Sequence, residues 1–210
     1  MSAKYDELLK YFVSQDDLRP GLQQPSTIGD KTYASNAHIL IAIPNDLLEQ
    51  TYEPHPKHPD FQKVINQALE CNRLSYSVPV IEKVIDRFEK VHDSRPCGDC
   101  DGEGRCPHCN KECDTCGATG EVVDKRLPLV LPDEDAGVRI CDKLFAPKYI
   151  ELIAKTAKAF GQDSIILSAK SDTLFRFLVG ELEITLARLD PEESELTRFQ
   201  IFDLNPMSCI

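Results

Sequence analysis

Nine cysteines occur in 210 residues, and six of them fall between Cys97 and Cys116 as three successive Cys-x-x-Cys pairs. The window reads CGDCDGEGRCPHCNKECDTC, with Gly117 and Gly120 directly after it. Two residues between cysteines let the backbone curl so that both sulfurs face one ion, and thiolates at this spacing hold tetrahedral zinc. Gly102, Asn110 and Gly117 lie close behind the second cysteine of each pair, where the tight turn asks for a residue that tolerates left-handed backbone. Cys97, Cys100, Cys106, Cys109, Cys113 and Cys116 can close one four-ligand zinc site with two sulfurs over, or share two zinc ions in a cluster. With a cysteine at every ligand position, the metal is expected to be structural, with no open position for a substrate. A redox reading exists for Cys106-Pro107-His108-Cys109, because Pro and His between two cysteines can lower a thiol pKa. Such a dithiol ordinarily sits between a strand and a helix of a βαβ unit, whereas this one lies inside a glycine-punctuated loop.

The elements around the window read as a mixed fold. Residues 5–14 place Leu8, Leu9, Phe12 and Val13 on one helical face, before Arg19-Pro20-Gly21 breaks the chain. Lys31–Ser35 and His38–Ile43 read as strands, the second buried and stopped by Pro44, with a tight turn at Ser35-Asn36-Ala37. Three prolines make residues 52–59 an extended loop. Helices are expected over Phe61–Asn72 and, more clearly, over Val78–Val91, where Ile81, Val84, Ile85, Phe88 and Val91 share a side. Residues 121–132 read as extended and lead to an acidic turn at 133–137. A short strand at Val138–Cys141 follows, then a helix at Pro147–Phe160 closed by Gly161. Strands at Ser164–Ser168, Leu174–Val179 and Leu182–Leu189 complete the pattern. The domain reading is therefore 1–94 with 121–190 as one α+β domain, 95–120 as an inserted metal module, and 191–210 as a C-terminal tail.

Composition narrows the function classes. Hydrophobic residues make up 41% and charged residues 28%, an ordinary globular balance. No apolar run approaches a membrane span. The start, MSAKYDELLKYF, lacks the apolar core of an export signal, so a cytoplasmic, reducing location is expected, with metal rather than disulfides. Cys71, Cys141 and Cys209 read as small buried or tail residues. His38 reads as a packed core histidine. His55 and His58 have no partner at ligand spacing. The G-x-S-x-G, P-loop and H-E-x-x-H patterns are all absent, so no catalytic residue is assigned and a non-enzymatic role is expected. The formal net charge of −11 disfavours a simple nucleic-acid binder, although an acidic exterior can surround a locally basic surface.

Two resemblances add to this reading. Cys97–Gly104 fits C-x-x-C-x-G-x-G, and Cys113–Gly120 fits it with Ala118 in place of the first glycine. These pieces resemble the cysteine-rich zinc module of DnaJ-type chaperones, which has four such repeats and two zinc ions. The resemblance implies zinc ligation. Outside the window, Ala34, Ser35, Asn36, Ala37, His38 and Leu40 lie in the segment YASNAHILIAI, which resembles the A-T-D-G-H-R-L strand of bacterial DNA polymerase sliding clamps. His58–Ile65, HPDFQKVI, is similar to that family's F-P-D-Y-R-R-V-L segment, and the C-terminal strand, helix and three strands are similar to its last half-domain.

The clamp resemblance implies antiparallel sheets with helices on one face, and helices that offer cations to the DNA backbone. Lys83, Arg87 and Lys90 on the Val78–Val91 helix, and Lys148, Lys155 and Lys158 on the Pro147–Phe160 helix, then become candidate phosphate contacts. Glu82, Asp86 and Glu89 on the first helix would offset part of that charge. The function expected is a DNA-associated, clamp-like binding or scaffold protein, with protein partners received at a sheet edge. A DnaJ-like protein-binding module and a thiol-redox protein stand as alternatives.

Overall fold

A computed structural model describes residues 3–92, 94–107, 109–124, 129–132, 135–191, 196 and 199–209. In chain order its elements begin with α1 (Ala3–Leu9), β1 (Ser26–Ile28), β2 (Lys31–Ser35), β3 (Ile39–Pro44), α2 (Phe61–Ile65), β4 (Leu69–Ser77) and α3 (Val78–Ile85). The cysteine region contributes β5 (Val91–His92), β6 (Ser94–Pro96), β7 (Glu121–Val123) and β8 (Leu129–Val130). There follow β9 (Ala136–Ile140), β10 (Lys143–Phe145), α4 (Pro147–Ala159), β11 (Ser164–Lys170), β12 (Leu174–Val179), β13 (Leu182–Ala187), β14 (Gln200–Leu204) and β15 (Ser208–Cys209). The chain divides into two compact units, one of Met1–Arg87 with Asp133–Ile210 and one of Phe88–Pro132.

The larger unit is α+β. Eight strands form a sheet in the order β1-β2-β3-β13-β12-β11-β4-β15, with every pairing antiparallel. A three-stranded sheet, β10-β9-β14, contains one parallel pair, β14 on β9. The run ILIAI in β3 is buried on both faces, as an unbroken apolar strand requires. Leu40 and Ala42 meet Tyr33, Phe61 and Ile65 in one core cluster. In β12 the alternation places Phe175, Phe177 and Val179 in the core, while Leu174, Arg176 and Leu178 are half-buried. Helix α4 buries Ile150, Ile153, Ala154 and Ala157 and packs on β9, β11 and β12. Its C-terminal turn closes at Gly161 (φ 69°), as the sequence leads one to expect. Helix α3 packs beside α4 and on β4 and β14.

Several expectations are corrected. The Phe61–Asn72 helix stops at Ile65, although Asp60 caps its start by accepting from Lys63 N–H at 3.0 Å. Leu69 onward is drawn into the ladder with β11, so pairing across the sheet outweighs local helical preference. The Val78–Val91 helix ends at Ile85, and Val91 pairs with Val130 in a two-stranded ribbon. His38 precedes its strand and is exposed, because the Asn36 side chain accepts the N–H groups of His38 and Ile39 and holds a turn there. Its ring stacks on Tyr149 with centroids 6.0 Å apart. Cys141 is exposed rather than buried, at the left-handed turn between β9 and β10 (φ 56°), and Cys71 is half-buried. Within 191–210, Gln200–Leu204 and Ser208–Cys209 are strands that pair with β9 and β4.

Candidate metal centre and helix face

The cysteine unit folds around a near-exact internal duplication of its outer pairs. Gly102 N–H donates to the Cys97 carbonyl at 3.1 Å, and Ala118 N–H donates to the Cys113 carbonyl at 3.1 Å. Glu103 N–H donates to the Cys100 carbonyl at 2.9 Å, and Thr119 N–H to that of Cys116 at 3.2 Å. The two repeats then cross. Cys97 N–H donates to the Gly120 carbonyl at 2.8 Å, and Cys113 N–H to the Gly104 carbonyl at 3.0 Å. At that crossing a Cβ on Gly104 would lie 2.3 Å from the Ala118 oxygen, and one on Gly120 would lie 2.3 Å from the Gly102 oxygen. Both positions have positive φ, 71° and 81°, so the last glycine of each C-x-x-C-x-G-x-G repeat is required twice over. Ala118 (φ 68°) takes the place of Gly102 (φ 83°) and adopts the same left-handed backbone.

This crossing brings four sulfurs together. Those of Cys97, Cys100, Cys113 and Cys116 all lie within 4.8 Å of one another. Cys97 Sγ is 3.9 Å from Cys113 Sγ, and Cys100 Sγ is 3.7 Å from Cys116 Sγ. A tetrahedron built on Zn–S bonds of about 2.3 Å has edges of about 3.8 Å. Both spacings are far beyond a disulfide bond of about 2.05 Å. Gly104 N–H donates to Cys100 Sγ and Gly120 N–H to Cys116 Sγ, each at 3.3 Å, which favours thiolate charge on one sulfur of each repeat. Cys97, Cys100 and Cys113 are buried and Cys116 is half-buried. Burial pushes the Cys100 thiol up to about 11. Cys116 is subject to the same burial, yet the Gly120 N–H and the neighbouring sulfurs bring it down to about 7. Four thiols gathered at this spacing, with backbone N–H groups aimed at two of the sulfurs, suit a divalent cation whose binding displaces the protons. The donor set, spacing and N–H···S bonds fit zinc, and four sulfurs leave no open coordination position.

The other two cysteines of the window stand apart from this group. Cys106 is half-buried and Cys109 exposed, on a small hairpin in which Arg105 pairs with Glu112. His108 lies outside the described residues.

The candidate phosphate-contacting cations fall into different settings. Lys83 is exposed on α3. Arg87 follows the helix end, and its guanidinium lies 3.8 Å from the centroid of the Phe202 ring. Lys90 belongs to the cysteine unit, so the spacing that put it on one helical face with Lys83 does not hold. Lys148 is exposed in the first turn of α4, its ammonium 5.3 Å from the Tyr149 ring. Lys155 pairs with Glu151 at 2.8 Å, and Lys158 crosses to Glu82 of α3 at 2.6 Å. The groove between α3 and α4 is lined by Glu82, Asp86 and Glu151 as well as by Lys155 and Lys158. The Glu151–Lys155 pair was readable from its i,i+4 spacing. The Glu82–Lys158 bridge and the Phe202 cap on Arg87 depend on which elements become neighbours, and no local signal marks them.

No family model and no curated protein sequence matches the chain. Solved structures do. DNA polymerase III subunit beta from Borrelia burgdorferi, in complex with a natural product, superposes with a TM-score of 0.50 at 10% identity, over 91% of this chain and 62% of that one. The DnaN sliding clamp from Bartonella birtlesii bound to griselimycin gives 0.50 at 12% identity, over 90% and 64%. The sliding clamp from Bacillus subtilis gives 0.48 at 13% identity, over 90% and 63%. The chain thus spans just under two thirds of the length of these clamps, and at such identity the likeness is one of fold. This chain is a sliding-clamp-like α+β fold carrying a four-cysteine cluster that fits a zinc module.

Proposed function

We propose that the protein is a non-enzymatic, DNA-associated scaffold of the clamp fold, in which Cys97, Cys100, Cys113 and Cys116 hold one structural zinc ion. The observation that carries this reading is the four-sulfur cluster at tetrahedral spacing. Zinc there supplies a cross-link and no reaction, because sulfur fills every position. A unit as small as Phe88–Pro132 buries little apolar surface, so metal binding contributes much of its folding free energy. The scaffold role is supported by the clamp-like fold, with α3 and α4 packed side by side.

DNA contact on that helix pair is supported by Lys83 and Lys148, both exposed. Glu82 and Glu151 already occupy Lys158 and Lys155, so phosphate must displace two carboxylates, and the contact should be weak and strongly salt-dependent. Anisotropy of a labelled duplex, titrated with protein at low salt and then challenged with salt, tests it. Lys83→Glu with Lys148→Glu should abolish the signal. No affinity at low salt removes the DNA part of the proposal and leaves the zinc part standing.

A protein-binding role for the cysteine unit is favoured by one observation: Val91, Val123 and Leu129 on its short ribbons are exposed by 46%, 67% and 54%. If that role holds, Val123→Asp with Leu129→Asp should weaken capture of an unfolded client without changing zinc content.

A further inference from the structure

We propose that a pocket between the β1–β2 hairpin and the start of α2 receives an arginine side chain of a partner protein. The pocket encloses about 410 Å³, at the lower end of the range of specific ligand sites, and all of its lining residues belong to the larger unit. Its apolar wall is made by Ile28, Tyr33 and Phe61. The Tyr33 and Phe61 rings lie within 14° of parallel with centroids 5.4 Å apart, and the His58 ring stacks on Phe61 at 18° and 6.0 Å. Tyr33 and Phe61 are 4% and 2% exposed and sit in one core cluster, so packing fixes this wall.

The polar rim has acceptors to offer and its donors are spent. The Tyr33 hydroxyl donates to Gln62 Oε1 at 3.4 Å, and Gln62 Nε2 donates to Asn66 Oδ1 at 3.0 Å. His58 Nδ1 lies 2.8 Å from the Pro59 carbonyl oxygen, so in the neutral ring that nitrogen carries the hydrogen and Nε2 is an acceptor. Asp60 uses Oδ1 to accept the Lys63 N–H at 3.0 Å, which leaves Oδ2. Neither Asp30 nor Asp60 has an ion-pair partner among the described residues, and no lysine or arginine lines the pocket. Lys31, the cation next to Asp30 in the chain, is committed to Glu183 at 2.6 Å.

Both carboxylates are held in place before a ligand arrives. The Ile28–Lys31 pair leaves Gly29 and Asp30 as a two-residue hairpin loop, and Gly29 at φ 65° supplies the left-handed backbone that such a loop demands. Asp60 is fixed by capping α2. A ligand therefore has little rim ordering to offset. An arginine side chain meets both halves of the pocket. Its stem and planar head suit a wall of stacked rings, and its five N–H donors suit acceptors on two sides. A phosphate or carboxylate would instead face two like charges. A second copy of a chain with net charge −11 is repelled, whereas a basic segment of another protein is attracted.

The test follows backbone amides of the full, zinc-supplied chain in proton–nitrogen correlation spectra during titration with an acetylated, amidated glycine-arginine-glycine peptide. The same peptide with citrulline is the neutral isostere. The amides of Gly29, Asp30 and Gln62 should shift saturably with arginine, with Kd of about 1 mM, the scale of one anchoring side chain, and should not do so with citrulline. Asp30→Asn and Asp60→Asn should each weaken binding about fivefold, and the double variant about twentyfold. Asparagine keeps the helix cap, and an otherwise unchanged spectrum shows that each variant is folded. Equal shifts with citrulline, unchanged affinity in the double variant, or no saturable shift with arginine overturns the proposal. Shifts of the same amides on diluting the protein alone would place a second copy in the pocket and overturn the assignment to another protein.

Discussion

Gly104→Ala should damage the zinc site through geometry alone, without touching a ligand. Gly104 has φ 71°, and a Cβ there would lie 2.3 Å from the Ala118 carbonyl oxygen, roughly 1 Å inside ordinary contact. The left-handed backbone costs an alanine about 1 kcal/mol. Relieving the overlap separates the two repeats where Cys113 N–H meets the Gly104 carbonyl at 3.0 Å and where Gly104 N–H meets Cys100 Sγ at 3.3 Å. Losing a hydrogen bond to a charged acceptor such as the Cys100 thiolate costs about 2 kcal/mol. The sum, about 3 kcal/mol, corresponds to roughly a hundredfold loss of zinc affinity, since 1.4 kcal/mol is tenfold. A shift of this size also exceeds the tolerance of about 0.2 Å in metal–ligand distances. Competition against a chromophoric chelator reads the affinity directly. Gly98→Ala is the control, because a Cβ there meets nothing within 4 Å and its φ is ordinary. Equal affinity in Gly104→Ala and wild type, or an equal loss in Gly98→Ala, would refute the crossing argument.

Other substitutions probe separate parts of the molecule. Ala118→Gly restores the glycine that the first repeat has at Gly102 and removes a left-handed alanine (φ 68°), so zinc affinity should rise by about fivefold, or about 1 kcal/mol, in the same competition. Leu204→Ala, in a strand assigned to the tail by sequence, should destabilise the larger unit by about 2–5 kcal/mol in denaturant unfolding, because Leu204 is 2% exposed in a strand paired with β9. The Tyr52 hydroxyl donates to Asp6 at 2.8 Å, and burial together with that bond pushes its pKa up to about 12. A phenol raised above its ordinary value of about 10 contributes stability that is whole below pH ~10 and lost as pH climbs through ~12. Tyr52→Phe should therefore be less stable at neutral pH and show a shallower alkaline decline, as read by unfolding midpoints across that window.

The parts of the fold legible in the sequence were those with a strong local period or a hard local constraint. Pro147 at the start and Gly161 at the end bounded α4, and the Leu174–Val179 alternation matched β12 residue for residue. The outer cysteine repeats were legible because glycine at the eighth position is demanded by a backbone crossing. Pairing partners were not legible. Residues 69–72 read as the end of the Phe61–Asn72 helix, but β11 takes them as part of a strand. Val91 completes an apolar face on a helical wheel, yet it is claimed by Val130. The strand at Gln200–Leu204 lies 60 or more residues from its partner β9, and no property of QIFDL alone announces a parallel pairing with it. The same blindness hid the neutralisation of the helix lysines. Lys158 meets Glu82 across two helices, a contact that exists only once α3 and α4 are packed.

X-ray absorption at the zinc edge of the Cys106→Ser/Cys109→Ser chain tests the central claim most directly, since that chain retains only Cys97, Cys100, Cys113 and Cys116 from the window. Four sulfur neighbours at about 2.3 Å, with no nitrogen or oxygen in the shell, is the predicted result. Protein that retains no zinc, or a shell containing water or imidazole, would contradict it.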